Sequence, residues 1–213
     1  MTTSKRKMSV PEIDLQEWEW PDFDTKLIQV FDQVKDIYRI LPFVDNRAVC
    51  IQAGGACGVW PKLFSKYFVR VITFEPEPEN YQCLLENCPE KNITKCKRAL
   101  GDEMKAVGLA LHKSELTNAG AWYVHHGDGF SMVTIDSMGM DNVGLIQLDI
   151  EGLELEALKG ARETIMASLP LIVIEEKKLP QFTRPPGLAS AWLAAEFGYK
   201  VVGHIHRDVI LKC

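Results

Sequence analysis

The stretch Asp149-Ile-Glu-Gly152 carries two carboxylates one residue apart, directly after an apolar run. A carboxylate held beside a hydroxyl group can remove its proton while that oxygen attacks an electrophile, which is the work of a general base. Group transfer also needs the acceptor to be aligned with the bond that breaks. We therefore predict that Asp149 and Glu151 are catalytic residues.

Three apolar runs with the pattern of buried strands end in an acid, at Glu75, Asp149 and Glu175. In an open parallel sheet the carboxyl ends of the strands line one crevice, where ligands bind. Any one of these acids could instead cap a helix, and Asp149 could cap the helix predicted after Gly152. Three acids at one edge are harder to assign to capping alone, so the pattern favours a ligand-binding crevice.

A glycine-rich turn precedes the first of these acids. A β-branched run that begins at Ala48 leads into Gln-Ala-Gly-Gly-Ala-Cys-Gly58, and a second strand then ends at Glu75, 21 residues after Gly54. This order is typical of the nucleotide-binding half-unit of doubly wound α/β folds. There the glycines let the backbone approach the ligand, and the acid accepts hydrogen bonds from ribose hydroxyls.

The details of the turn distinguish between nucleotides. A dinucleotide fingerprint needs glycine at positions 53, 55 and 58, and position 53 is alanine. The remaining pattern, Gln52-x-Gly54-x-x-x-Gly58, is closer to the first motif of S-adenosylmethionine (SAM) methyltransferases, usually Asp/Glu-x-Gly-x-x-x-Gly. The turn therefore favours SAM over a nicotinamide cofactor, and a nicotinamide-dependent oxidoreductase is disfavoured.

The elements around these motifs predict one α/β domain with a mostly parallel sheet and helices on both faces. Besides the strand before Gly54, strands are predicted over 69–75, 93–100, 145–149 and 169–175, and helices over 25–41, 59–68, 76–88, 153–166 and 188–197. Alternating segments over 106–112, 120–126 and 131–136 indicate antiparallel ribbons inserted between sheet strands, and the last residues indicate a terminal hairpin.

Residues 1–24 are predicted to form an N-terminal arm that is partly disordered. Its two tryptophans, Trp18 and Trp20, could anchor the arm to the domain or form a lid over a pocket. The anchor is favoured, because chain termini usually need tying down. Residues 25–213 are predicted to be a single domain with the β insertion at about 103–140.

Seven short motifs follow one another along the chain. They are Gln-Ala-Gly-Gly-Ala-Cys-Gly58, Thr-Phe-Glu-Pro-Glu-Pro-Glu-Asn-Tyr81, Arg-Ala-Leu-Gly-Asp102, Asn118-Ala-Gly120, Thr134-Ile-Asp136, Ile146-Gln-Leu-Asp-Ile-Glu-Gly-Leu-Glu154 and Leu158-Lys-Gly-Ala161. Together they resemble the FkbM-type SAM-dependent methyltransferase family from about Cys50 to Glu175. The Phe-Glu-Pro and Asp-Ile-Glu-Gly-x-Glu blocks are the most specific of them.

The resemblance implies a Rossmann-like class I methyltransferase fold and O-methylation of a hydroxyl on a sugar, glycan or small molecule. It implies that Glu75 holds the ribose of SAM and that residues around Leu100–Asp102 border the adenine. SAM would leave as S-adenosylhomocysteine (SAH). The predicted cofactor residues are Gln52, Ala53, Gly54, Gly55, Gly58, Glu75, Pro76, Leu100, Asp102 and Asp149.

The chain departs from the family's first motif, Asp-x-Gly-Ala-Asn-x-Gly, at Gln52, Gly55 and Ala56. Gln52 keeps the capacity to form hydrogen bonds but loses the charge. The family's Lys-x-Asp is Gln147-Leu-Asp149 here, which removes a nearby cation. The altered first motif leaves a non-catalytic SAM-binding module as an alternative, and the intact pair of acids argues against it.

Composition bounds the partners. The chain has 213 residues, 46% of them hydrophobic, and a formal net charge of −5. No basic field indicates a nucleic-acid partner. The Asn/Asp-Pro-Pro-Tyr/Phe motif of amino-group DNA methylation and a Pro-Cys nucleophile pair are absent from the sequence. A methyltransferase acting on nucleic acid or on another acceptor atom is therefore the alternative enzyme.

Cysteines and histidines predict no metal site. The six cysteines lack zinc-type spacing and are predicted to be reduced thiols of a cytoplasmic protein. Adjacent His125 and His126 would point to opposite faces of a strand, and His204 and His206 share a face without a third ligand. No segment predicts a signal peptide or a membrane span. The oligomeric state is left open.

Overall fold

The computed structural model describes residues 18–24, 36–112, 116–176 and 185–213. The first part of the predicted N-terminal arm and most of the helix predicted over 25–41 lie outside these residues.

The described elements alternate between helices and strands along most of the chain. In chain order they are α1 (Ile37–Ile40), β1 (Val49–Ala53), α2 (Val59–Phe64), β2 (Arg70–Phe74), α3 (Pro78–Asn87), β3 (Ile93–Cys96), β4 (Ala99–Leu100), β5 (Lys105–Leu111), β6 (Trp122–Val133), β7 (Val143–Leu148), α4 (Glu154–Lys159), α5 (Arg162–Ser168), β8 (Leu171–Glu175), α6 (Leu188–Phe197), β9 (Lys200–Ile205) and β10 (Asp208–Lys212). Short 3-10 helices cover Leu41–Phe43 and Asp136–Met138.

A seven-stranded sheet forms the centre of the domain, in the order β3-β2-β1-β7-β8-β10-β9. The first five strands are parallel, and β10 runs antiparallel to both β8 and β9. The mostly parallel sheet and the C-terminal hairpin are therefore confirmed. Because β1 pairs with β2 on one side and with β7 on the other, the strand order reverses at β1. The crevice of such a fold opens at the carboxyl ends of these strands.

Helices cover both faces of this sheet, as predicted. Alternate residues along each strand point to opposite faces, and the buried residues fall into two main clusters. One cluster packs Ile51 and Ile146 against α4, α5 and α6, and the other packs Cys50 and Leu145 against α1, α2 and α3. No helix within the described residues is long and apolar enough to cross a membrane.

A second sheet of three strands, in the order β4-β6-β5, follows β3 along the chain. Two predictions were wrong in detail here. The strand predicted over 93–100 is divided into β3 and β4, which belong to different sheets. The two strands predicted over 120–126 and 131–136 are the single strand β6, whose register against β5 shifts between Val107 and Gly108. Gly127 makes this irregularity possible, because a Cβ there would lie 2.7 Å from the backbone of Gly108.

The helix predicted over 153–166 is also divided, into α4 and α5, at Gly160 and Ala161. A Cβ at Gly160 would lie 2.1 Å from the carbonyl oxygen of Gly101, so the residue that follows β4 packs directly on this point. Asp136 then accepts hydrogen bonds from the backbone N–H groups of Glu163 and Thr164, at 3.0 and 2.9 Å. This carboxylate satisfies the first turn of α5 from a distant part of the chain.

Candidate functional site

A cavity opens at the carboxyl ends of β1, β2 and β7, where the strand order reverses. It contains about 850 Å³ of empty space when its open mouth is included. The lining residues come from the turn after β1, the end of β2, the starts of α2 and α3, the second sheet and the loop after β7. They include Ala53, Gly54, Ala56, Trp60, Phe74, Glu75, Pro76, Asn80, Arg98, Leu100, Leu109, Ala119, Gly120, Trp122, Val124, Asp149, Ile150, Glu151 and Leu153.

Gly54 brings the turn after β1 against the loop after β7. Its φ angle of +79° lies in the left-handed region, and a Cβ at this position would lie 1.9 Å from the carbonyl oxygen of Asp149. The backbone N–H of Asp149 also donates to the carbonyl of Ala53 at 3.1 Å. Only glycine fits this close approach. It places the acid that follows β7 beside the glycine turn.

Glu75 follows β2 and is buried, with 5% of its surface exposed. One carboxylate oxygen accepts the backbone N–H of Ala56 at 2.7 Å, and the other accepts that of Glu77 at 2.9 Å. Burial nevertheless raises the pKa of Glu75 to about 7, because desolvation of the charged form outweighs these two hydrogen bonds. Glu75 is thus a carboxyl group that lines the cavity and can change its charge near neutral pH.

The loop after β7 brings three acids together. Asp149, Glu151 and Glu175 each offer a carboxylate oxygen, and these oxygens lie within 4.8 Å of one another. Glu151 has a left-handed φ of +53°, which is uncommon for a residue other than glycine. Asp149 and Glu151 line the cavity, whereas Glu175 is absent from its lining. Of the three acids predicted to line one crevice, Glu75 and Asp149 line the cavity and Glu175 does not.

Glu154 holds the loop after β7 by hydrogen bonds, a role that we did not predict. The same carboxylate oxygen accepts the backbone N–H groups of Ile150 at 3.0 Å and Gly152 at 3.3 Å. Burial raises the pKa of Glu154 to about 7, in spite of these hydrogen bonds. Helix α4 starts without a side-chain cap at Leu153. Asp149 is therefore not its cap, which removes the structural explanation considered for that acid.

Gln52 lies beneath the glycine turn, fully buried, and does not belong to the cavity lining. Its Nε2 donates to the carbonyl oxygens of Ala53 at 3.1 Å and Gly54 at 3.0 Å, and its Oε1 accepts the hydroxyl of Thr73. A carboxylate in this position could not donate to the two carbonyls. In this chain the residue that replaces the family's aspartate holds the turn by donating hydrogen bonds.

The other predicted cofactor residues occupy two kinds of position. Ala53, Pro76 and Leu100 line the cavity together with Gly54, Glu75 and Asp149. Gly55 packs on the Thr73 side chain and Gly58 on Cys88, behind the turn. Asp102 is exposed and is not part of the lining. The structure thus brings six of the predicted positions to the cavity and leaves Gln52, Gly55, Gly58 and Asp102 outside its lining.

An apolar wall of the cavity was not predicted. Leu109, Trp122 and Val124 from the second sheet line it, as does Trp60 at the start of α2. The Nε1 atom of Trp122 is buried and has no hydrogen-bond partner among the described residues. The alternation of apolar and polar residues along β6 indicated a strand. It could not indicate what the apolar face of that strand would cover.

Comparisons with known proteins agree with this geometry. The model of the family described as the methyltransferase FkbM domain matches residues 62–201. The chain belongs to the FkbM methyltransferase family. The FkbM match begins four residues after Gly58, so the altered first motif lies outside it. No curated protein matches the sequence.

Solved structures share the fold at low sequence identity. The methyltransferase FkbM from Methylobacillus flagellatus KT is 19% identical with a TM-score of 0.55, over 92% of this chain and 56% of its own. The present chain therefore spans little more than half of that protein. A precorrin-6y C5,15-methyltransferase from Geobacter metallireducens GS-15 is 15% identical with a TM-score of 0.51, over 96% and 97% of the two chains.

A third structure shows how far such a likeness extends. The precorrin 8w decarboxylase from Methanobacterium thermoautotrophicum is 12% identical with a TM-score of 0.50, over 84% of this chain and 89% of its own. Its name describes a different reaction, a decarboxylation. These structures establish the Rossmann-like methyltransferase fold, and the chemistry of this FkbM-family chain has to be argued from its own residues.

Proposed function

We propose that this FkbM-family protein is a SAM-dependent methyltransferase that O-methylates a hydroxyl of a sugar, glycan or small molecule. The observation that carries the proposal is the position of the acids in one cavity. Glu75 lies on one side of Gly54, and Asp149 with Glu151 lies on the other. The first acid suits the ribose of a nucleoside. The second pair suits the acceptor.

The lining residues fit SAM in their chemistry. Glu75 would accept hydrogen bonds from the ribose hydroxyls, and the apolar side chains of Phe74 and Leu100 would pack beside the adenine. The backbone at Ala53 and Gly54 would border the methionine end. Gln52, Gly55 and Gly58 would act by shaping the turn, and Asp102 would flank the adenine from outside.

The acids after β7 would handle the proton of the acceptor. SAM supplies a methyl group on a positively charged sulfur, which makes it a good electrophile. Asp149 or Glu151 would take the hydroxyl proton while the acceptor oxygen forms its bond to the methyl carbon. The electron pair of the breaking carbon–sulfur bond goes to sulfur, and SAH leaves as a neutral thioether. The chain would contribute alignment and a base.

Calorimetric titration of the purified protein with SAH and, separately, with NAD tests the cofactor assignment. We expect SAH to bind with a dissociation constant near micromolar, about −8 kcal/mol, and NAD to give no heat of binding. Glu75→Ala should weaken SAH binding at least tenfold. Glu79→Ala, an exposed glutamate on α3, is the matched control and should bind like the wild type. Absence of SAH binding to the wild type would overturn the proposal.

Turnover separates an enzyme from a binding module. Protein that binds SAH is incubated with radiolabelled SAM and a panel of sugars, phenols and other hydroxyl compounds. Glu151→Gln should retain SAH binding, Asp149→Asn should retain most of it because the asparagine keeps a side-chain oxygen, and at least one of the two variants should lose methyl transfer. Methylation that is unaffected by both substitutions would contradict their catalytic assignment.

A cytoplasmic setting is part of the same proposal. All six cysteines are free, and four of them are buried. Unpaired thiols suit a reducing compartment.

A further inference from the structure

The segment 18–24 lies outside the part of the chain that matches the family model. It nevertheless contacts the elements that build the cavity. Trp18 and Trp20 pack against the core cluster that contains α2 and α3. Any role of this segment at a cofactor site presupposes the SAM-dependent function proposed above.

Asn87, near the end of α3, holds one end of the segment. Its Oδ1 accepts the backbone N–H of Glu19 at 2.8 Å, and its Nδ2 donates to the carbonyl of the same residue at 2.7 Å. The Nδ2 also donates to the carbonyl of Cys57 at 2.8 Å. One buried amide thus joins the N-terminal segment to the glycine turn.

Asp24 holds the other end of the segment against the cavity wall. Its carboxylate accepts the backbone N–H of Ala119, a residue that lines the cavity. The carbonyl of Ala119 in turn accepts Nδ2 of Asn80 at 2.7 Å. Asn80 lies in the first turn of α3 and is 1% exposed. The wall is therefore held through both the N–H and the carbonyl of Ala119.

The same hydrogen-bond chain continues to Glu75. The backbone N–H of Asn80 donates to the carboxylate of Glu77 at 2.7 Å, and the backbone N–H of Glu77 donates to the carboxylate of Glu75 at 2.9 Å. Four hydrogen bonds thus lead from Asp24 through Ala119, Asn80 and Glu77 to the proposed ribose-binding acid. Buried polar chains of this kind fix the geometry of their members.

We infer that Asp24 is a positioning residue of the cofactor site. It acts through Ala119 and Asn80, and it holds the cavity wall and the start of α3 in the arrangement that presents Glu75 to the ribose. The N-terminal segment thereby completes a site whose remaining residues belong to the methyltransferase domain.

The test measures SAH affinity by calorimetry, well below the unfolding temperature, for the wild type, Asp24→Ala, Asp24→Asn and Asp22→Ala. Asp24→Ala removes the acceptor for the Ala119 N–H, and we expect about tenfold weaker binding. Asp24→Asn keeps a side-chain oxygen in the same place and should lose about threefold or less. Asp22 is exposed in the same segment, and its replacement should change nothing. Thermal unfolding of each variant reports stability separately.

A loss of SAH affinity in Asp24→Ala that Asp24→Asn largely avoids, in protein that is folded at the assay temperature, supports positioning by Asp24. If both bind SAH like the wild type, the inference about Asp24 is wrong while the cofactor assignment stands. If the wild type does not bind SAH, the proposed function fails first. Should Asp24→Ala not fold, Asp24→Ser, which has a shorter polar side chain without a carboxylate, replaces it with the same expected loss.

Discussion

Glu75 shows how the balance of local interactions determines the behaviour of a single acid. Two backbone N–H groups stabilise its charged form, and burial destabilises that form by more, so that its pKa rises to about 7. A folded-state pKa above that of the unfolded chain means that the folded protein binds the extra proton. The contribution of this group to stability is therefore full below about pH 4.5 and is lost as the pH rises to 7 and above.

The affinity for the cofactor should depend on pH in the opposite direction. Ribose hydroxyls donate more strongly to the charged carboxylate than to the acid, so binding should require ionised Glu75. With a pKa of about 7, the dissociation constant of SAH should be about fivefold larger at pH 6 than at pH 7 and nearly constant above pH 8. Calorimetry at these pH values, in buffers with different ionisation enthalpies, should also detect proton release on binding.

Two variants assign this dependence to one residue. Glu75→Gln should bind weakly and with the same affinity at every pH. Glu154→Gln removes a second carboxyl group whose pKa is raised to about 7, and it should leave the pH dependence of SAH binding in place. Binding to the wild type that does not vary between pH 6 and pH 8 would contradict the role given to Glu75.

The sequence located the acids of the site better than their neighbours. Glu75, Asp149 and Gly54 could be predicted because they follow strands and because their spacing reflects the geometry of the sheet. The orientation of Gln52 could not be predicted, since it depends on the hydroxyl of Thr73 on the next strand. Trp122 was missed because its strand lies in a second sheet whose packing no local pattern specifies.

At the scale of elements, the loop 149–153 is held in an uncommon backbone conformation. It combines the left-handed residues Glu151 and Gly152 with the close approach of Gly54 to the Asp149 carbonyl. Such a backbone persists only where the surrounding structure holds it. Glu154 supplies that support, because it accepts two N–H groups from this loop.

Replacement of Glu154 should therefore displace the carboxylates of Asp149 and Glu151 without removing them. Glu154→Ala leaves two backbone N–H groups without their acceptor, at a cost of about 1–3 kcal/mol each where they stay buried. We expect kcat for methyl transfer to fall by tenfold or more, with a smaller change in SAH affinity. Glu154→Gln keeps an oxygen that can accept both groups and should retain most of the activity. Equal activity of Glu154→Ala and the wild type would show that the loop does not need this support.

Two of the elements that were predicted incorrectly share a physical cause. The division between α4 and α5 depends on the contact of Gly160 with Gly101, and the irregular pairing of β6 depends on the contact of Gly127 with Gly108. Both contacts join parts of the chain that are distant in sequence. The local sequence predicts α6 closely, because that helix ends at Gly198 with a left-handed φ of +76°. It cannot predict where a distant backbone interrupts a helix or a strand.

At the scale of the whole molecule, the topology locates the site and the charge bears on its acceptor. The reversal of strand order between β2, β1 and β7 places the cavity at the carboxyl ends of the strands, as in other open α/β sheets. The Rossmann-like fold is shared with proteins whose names describe different reactions, so the fold does not specify an acceptor. For the proposed methyltransferase we expect discrimination among acceptors to come from Trp122, Asp149 and Glu151, which line the same cavity.

The charge of the protein argues against nucleic acid as that acceptor. The chain has 24 basic and 29 acidic residues, and two acids, Asp149 and Glu151, line the cavity beside two tryptophans. A protein that binds nucleic acid neutralises several phosphates, and non-specific binding of this kind has dissociation constants of about 10⁻⁴–10⁻⁶ M. We expect fluorescence anisotropy with labelled single-stranded RNA and DNA at about 0.15 M salt to show binding weaker than this range. Binding near micromolar that declines with salt, together with transfer of labelled methyl groups to the RNA or DNA, would instead favour the nucleic-acid alternative. In that case the apolar wall would have to be explained as a surface for stacking bases, and a sugar or small-molecule acceptor would no longer be needed.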